Sequence, residues 1–246
     1  MLIEQCAFGN SWRTASPEAK VVFALAGFIA AYVARGPESA LLVAALLAFT
    51  IVFGADIAEN RLLRVLLPPF GFLLLGCLSL ACSLEVNEGQ LSLHWLPSGY
   101  LPILQLAARS CAALTALLFL ALTTPMIDLI ALFRRLHVPE VLLEIMVLCY
   151  RMLFVFLEAL RQTQTAQEAR LGYATPRMAL RSMASLVASL SLQIWQRSHD
   201  LQIAAQSRNN DGPFRFIEPE YANTRREVHL AVMGGILLIA LAVRKS

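Results

Sequence analysis

Charge is scarce in this chain. Asp, Glu, Lys and Arg make up 15% of its 246 residues, where a soluble domain carries about a quarter. With 58% apolar residues beside so few charges, a soluble globular reading fails. Cysteine pairing is lacking too. Cys6, Cys77, Cys82, Cys111 and Cys149 include no Cys-x-x-Cys, and four lie in apolar segments, so they read as small buried apolar residues. No Gly-x-x-x-x-Gly-Lys-Ser/Thr is present, so the chain does not itself cradle ATP and any ATP-driven role requires separate ATPase subunits. His94, His137, His199 and His229 are far apart and lack His-x-x-x-His spacing, so no metal site is expected. Gly-x-Ser-x-Gly is missing, and Asp128 and Asp211 are isolated, which leaves no cluster for hydrolase or transferase chemistry. Residues Met1 to Pro17 have no basic start feeding an apolar core and a cleavage site, so the first helix is expected to stay as an anchor.

What the chain does have is long apolar runs. Lys20 to Arg35 encloses one and Ala40 to Ala55 is another, separated by Arg35-Gly36-Pro37-Glu38, where glycine and proline stop a helix. Leu62 to Leu84 is charged only at Arg64, Leu101 to Thr123 only at Arg109, and Val228 to Val243 has His229 at its edge. The longer runs suffice to cross a hydrocarbon core of about 30 Å. The first two, about 15 residues each, read as a tilted hairpin. The expected fold is an all-α integral membrane protein with about five transmembrane helices plus a cytoplasmic module of three amphipathic helices. Its division is a cytoplasmic N-terminus at 1–20, four spans within 21–124, the module at 125–213, a linker at 214–227 and a last span at 228–243. Arg109, a charge inside a span, is expected to snorkel to the outer interface or to pack.

Positive charge sets the orientation. With the N-terminus inside, the inner segments hold sixteen of the twenty Lys and Arg and the outer ones three, while Glu85 to Tyr100 has none. The protein is therefore expected to be multi-pass in the cell (cytoplasmic or inner) membrane. The lipid bilayer is its solvent, and nothing in it points to nucleic acid.

After Thr123-Thr124-Pro125 the texture changes. Met126, Leu129, Ile130 and Phe133 recur at helical spacing, with Asp128, Arg134 and Arg135 between them, in a helix ending before Val138-Pro139. Pro139 and Glu140 open a second helix, apolar through Phe156 and polar from Glu158 to Arg170. Glu144, Arg151 and Glu158, seven apart, form one stripe on it, read as bracing helix against helix. Its polar tail has almost no apolar face and ends at Leu171-Gly172. Thr175 caps a third helix with Pro176 at its first position; it runs toward Arg208 and stops at Asn209-Asn210-Asp211-Gly212-Pro213. Two long helices thus finish alike, in a small residue, an arginine and a turn: Ala169-Arg170-Leu171 and Ser207-Arg208-Asn209. An arginine at one helix end merely complements the helix dipole. Repeated on two exposed polar ends, it suits docking into acidic pockets of cytoplasmic partners.

The stretch from Leu122 to Glu140, with Glu144, Tyr150-Arg151-Met152-Leu153-Phe154 and Glu158, resembles the transmembrane coupling subunit of energy-coupling factor transporters. It is most similar to the cobalt/nickel type, CbiQ or NikQ, over about Lys20 to Gly212. That resemblance implies two ABC-type ATPase subunits as partners, a substrate-specific membrane subunit, and no cofactor of the chain's own. It also implies that Ala169-Arg170-Leu171 and Ser207-Arg208-Asn209 correspond to the Ala-Arg-Gly-like motifs that sit in grooves on the ATPases. The second departs from that pattern, with serine for alanine and asparagine for glycine, but Asn tolerates the left-handed conformation. The expected function is coupling within an ATP-driven importer of cobalt or nickel ions. A membrane-embedded enzyme acting on lipid or isoprenoid substrates is the alternative, and a passive membrane scaffold a third.

Overall fold

The computed structural model describes residues 2–54, 59–87, 90–95, 100–209, 221 and 224–244. The stop at 210–213, Asp211 and most of the expected linker lie outside the described residues. The chain divides into two compact units, Met1–Leu132 with Pro219–Ser246, and Phe133–Glu218.

The first unit holds α1 (Leu2–Gly9), α2 (Pro17–Val33), α3 (Pro37–Phe49) continued by a π-helical turn (Thr50–Gly54), α4 (Glu59–Ala81), α5 (Tyr100–Thr123), most of α6 (Met126–Arg135) and α9 (Thr224–Arg244). The break between α2 and α3 falls where glycine and proline stand together. Gly36 is extended at φ −120°, ψ 160°, and the Ser39 hydroxyl donates to its carbonyl at 2.9 Å. Lipid tails are as apolar as leucine, so close backbone approach, rather than hydrophobic burial, is what joins helices in a bilayer. The core accordingly uses small residues: Ala30, Ala31 and Ala34 of α2, Ala40 and Ala44 of α3, and Ala108, Ala112 and Ala116 of α5. Helix α9 lies along α2 so closely that a Cβ on Gly235 would stand 2.5 Å from that of Ala26. A second cluster anchors the N-terminal residues. Phe119 of α5 meets Trp12 and Phe23 edge-on, at 5.9 and 5.1 Å between ring centres.

Among the described residues, four helical stretches are long and apolar enough to cross a membrane: Pro37–Gly54, Leu63–Leu80, Tyr100–Thr123 and Thr224–Val243. Helix α2, the first of the expected five, has 17 residues and is not among them; at 1.5 Å per residue it spans about 25 Å. Two boundaries also differ from expectation. The third apolar run leaves its helix at Ala81, and Cys82–Asn87 and Gln90–Trp95 pair antiparallel, with Leu84 opposite Leu93 and Val86 opposite Leu91. Apolar residues alternate there with period two, which suits strands better than helix. The fold is otherwise the expected all-α membrane architecture. The last helix starts at Thr224, ahead of Val228.

Arg109 is bound to a helix end. Its Nε and one terminal nitrogen donate to the Ala34 carbonyl at 3.0 and 2.7 Å, while Gln105 Nε2 donates to the Arg35 carbonyl at 2.8 Å. These carbonyls belong to the end of α2, where a helix leaves acceptors without internal partners. A guanidinium is well suited to the role.

The second unit is carried by α7 (Glu140–Ala169) and α8 (Pro176–Gln206). The start of α8 is capped as expected, with the Thr175 hydroxyl accepting from the Met178 N–H at 3.3 Å. Between the two helices runs an apolar groove of about 780 Å³ lined by Leu148, Met152, Phe156, Leu190, Ile194 and Leu201.

Candidate functional site

Both arginine-bearing helix ends lie in the second unit, and both turn through a left-handed residue immediately after the arginine. In α7, Arg170 is the last half-helical residue (φ −93°, ψ 14°), and Leu171 has φ 57°. The Gly172 N–H reaches back to the Gln167 carbonyl at 2.8 Å, and the Leu171 N–H to Glu168 at 3.0 Å. This pair of bonds defines a Schellman closure. The glycine expected to take the left-handed position is therefore one residue late, and the leucine takes it instead. Gly172 is required for space: a Cβ there would stand 2.7 Å from Ser182 Oγ and 2.9 Å from the Gln167 carbonyl oxygen.

A set of side chains steadies this hook. Tyr173 donates its hydroxyl proton to Gln167 Oε1 at 2.8 Å, and Gln167 Nε2 donates to the Ser182 carbonyl at 3.0 Å. Ser182 in turn donates to the Gly172 carbonyl at 2.9 Å. The end of α7 is thus tied to the early turns of α8, with Arg170 and Leu171 left outside; Leu171 is 70% exposed. Leu171 thus holds a conformation that costs about 1–2 kcal/mol for an L-residue, with its apolar side chain turned to solvent.

The second end repeats the geometry with different residues. Ser207 closes α8 with φ −63°, its hydroxyl donating to the Ala204 carbonyl at 3.0 Å. The Arg208 N–H reaches Ala205 at 3.1 Å, the Asn209 N–H reaches Gln206 at 3.0 Å, and Asn209 has φ 52°. Ala169, Arg170, Ser207, Arg208 and Asn209 are all exposed. The two hooks are not brought together. The 31 residues of α8 separate them, about 46 Å at 1.5 Å per residue.

The stripe on α7 is placed as follows. Glu144 is half-buried, Arg151 is exposed, and Glu158 accepts from Gln162 Nε2 at 3.0 Å within the same helix. Among the described residues no group of three or more His, Cys, Asp or Glu side chains could hold a metal ion. Sequence reasoning missed the Gln167, Tyr173 and Ser182 brace. Its one signal was a cluster of polar groups around Gly172, which is common in any turn.

A chain with several apolar, membrane-length helices is a multi-pass membrane protein. The chain belongs to the CbiQ family of cobalt transport proteins, whose family model matches residues 8–216. It is 35% identical to the cobalt transport protein CbiQ of Rhodobacter capsulatus over 98% of this chain and 95% of that protein. It is 28% identical to cobalt transport protein CbiQ of Salmonella typhimurium over 86% of this chain and 98% of the relative. A putative fused cobalt transport protein CbiMQ of Methanocorpusculum labreanum is 25% identical over 98% of this chain, which matches 41% of that longer protein.

Proposed function

We propose that this chain is the coupling subunit of an ATP-driven importer of the energy-coupling factor type, with cobalt ions as cargo. The observation that carries this reading is the duplicated hook. Two exposed arginines, each followed by a left-handed residue, stand at opposite ends of α8. Two like docking points so far apart suit two like partners better than one. The partners are ATPase subunits, whose acidic grooves take the guanidinium of Arg170 and of Arg208. Closure of the ATPases draws the hooks, and α7 and α8 lever the membrane helices against a substrate-binding membrane subunit. The names of the relatives favour cobalt over nickel, and the fused CbiMQ protein supports a second transport component working beside this one. The second unit and the N-terminus face the cytoplasm, in keeping with the distribution of Lys and Arg. The Glu144, Arg151 and Glu158 stripe braces the lever.

The test is charge reversal. Arg170→Glu and Arg208→Glu, in chains still inserted in the membrane, are expected to abolish ATP-dependent cobalt uptake and to reduce co-purification of the ATPases. Normal uptake by the double variant would sink the mechanism.

A further inference from the structure

Where α5 ends and α6 begins, the interior of the first unit turns polar. Asn10, Ser16, Lys20, Thr123, Thr124 and Asp128 are all buried there. The final carbonyls of α5 cannot be satisfied within their own helix, and two residues from the start of the chain take them. Asn10 Nδ2 lies 3.1 Å from the carbonyl oxygens of both Leu122 and Thr123 and 2.9 Å from that of Ala7. Lys20 Nζ donates to the Thr123 carbonyl at 3.0 Å. Lys20 is only 3% exposed, a rare condition for a lysine. Two carboxylates set their charge against it, Asp128 in the first turn of α6 and Glu227 in the first turn of α9. Glu227 also accepts from the Ser16 N–H, just before α2, at 2.6 Å.

This buried lysine ties the start of α2 to the end of α5, just ahead of α6, and the bond from Ser16 to Glu227 brings the start of α9 to the same place. Stability alone does not call for such an arrangement, since apolar residues of similar volume do as well or better. What a charge gives in a low-dielectric interior is a strong attraction to particular partners, and so a defined position for each helix end. The cluster also keeps spare capacity: Asn10 Oδ1 and Ser16 Oγ are buried without a hydrogen-bond partner among the described residues. The chain of α6 continues into the second unit, whereas α2 and α9 are the closely packed pair at Ala26 and Gly235.

We propose that Lys20 is the positioning residue that holds the joint between α5 and α6 against the start of α2, through its bond to the Thr123 carbonyl. Movement drawn along α6 then reaches the membrane helices instead of being lost at the Thr123-Thr124-Pro125 joint. This inference rests on the coupling-subunit reading above and adds the place where the coupling enters the bundle.

The experiment uses the whole transporter, with both ATPases and the substrate-binding subunit, in proteoliposomes, and measures Co²⁺ uptake and ATP hydrolysis in the same vesicles. Lys20→Met is expected to lower Co²⁺ moved per ATP by at least about five-fold, with hydrolysis and subunit recovery close to wild type. Lys20→Arg is expected to restore most of that ratio. An unchanged ratio in Lys20→Met, or a parallel fall in uptake and hydrolysis, would overturn the proposal. Should Lys20→Met fail to assemble, the double variant Lys20→Met/Asp128→Leu removes one of the two negative charges left behind, the other, Glu227, keeping its bond from the Ser16 N–H. Its normal coupling, or its own failure to assemble, would equally overturn the proposal, while assembly with a lowered ratio would support it. A wild-type complex without ATP-dependent uptake would overturn the coupling-subunit reading and this inference with it, so the two failures are distinguishable.

Discussion

The two units bury themselves by opposite means. In the first, alanine and glycine let α2, α3, α5 and α9 approach closely, and even charged side chains such as Lys20 are enclosed. In the second, Leu143 is the one buried residue of α7, and α8 has none in 31 residues. Trp195 is 76% and Leu180 72% exposed. The first unit is held by its own packing. The second is a pair of helices with an open apolar groove between them and two exposed arginine-bearing ends.

Substitutions can break this contrast or sharpen it. The largest effect is expected from Gly235→Leu, which forces α9 off α2 at the Ala26 contact. A loss of about 3 kcal/mol, at the upper end for overpacking, is expected in thermal unfolding of the purified chain. Loss confined to the second unit would contradict the division. Gly172→Ala is next. Its Cβ collides with Ser182 Oγ and the Gln167 carbonyl, at a cost of about 2 kcal/mol. Amide exchange should quicken around the α7 hook and stay unchanged in α2 and α5. Leu171→Gly works in the other direction. It relieves the left-handed strain and should stabilise the hook by about 1 kcal/mol, yet weaken ATPase association in a pull-down if the leucine side chain is part of the grip. The smallest effect on the chain itself is expected from Trp195→Ser, within about 0.5 kcal/mol in the isolated protein. The same variant should lower recovery of the assembled complex if a partner rather than this chain covers α8. An equal loss in both preparations would blur the contrast between the units.

Much of the local structure was legible before folding was considered. The Gly36-Pro37 break, the Thr175 cap with Pro176 behind it, and the two arginines at helix ends are all set by residues within a few positions of one another. Capping and helix termination are short-range chemistry, so a sequence can display them. The period-two alternation from Leu84 to Trp95 was equally visible but was masked by the apolar run before it. Which residue of Leu171-Gly172 turns left-handed was not legible. Glycine is free to do so, but Ser182, ten residues on, occupies the space a side chain at 172 would need.

By itself, then, the sequence determined that this is a helical membrane protein, where most of its helices begin and end, and that two of them finish in arginine. Composition and near-neighbour spacing suffice for that, because lipid demands internally hydrogen-bonded helices and glycine and proline stop them. The tertiary structure alone decided that Lys20, one positive charge among twenty, is enclosed beside Thr123, Asp128 and Glu227, and that Arg109 closes the end of α2. Those partners lie some 75 to 207 positions apart in the chain. Only the close packing of small residues brings such distant groups within reach of one another.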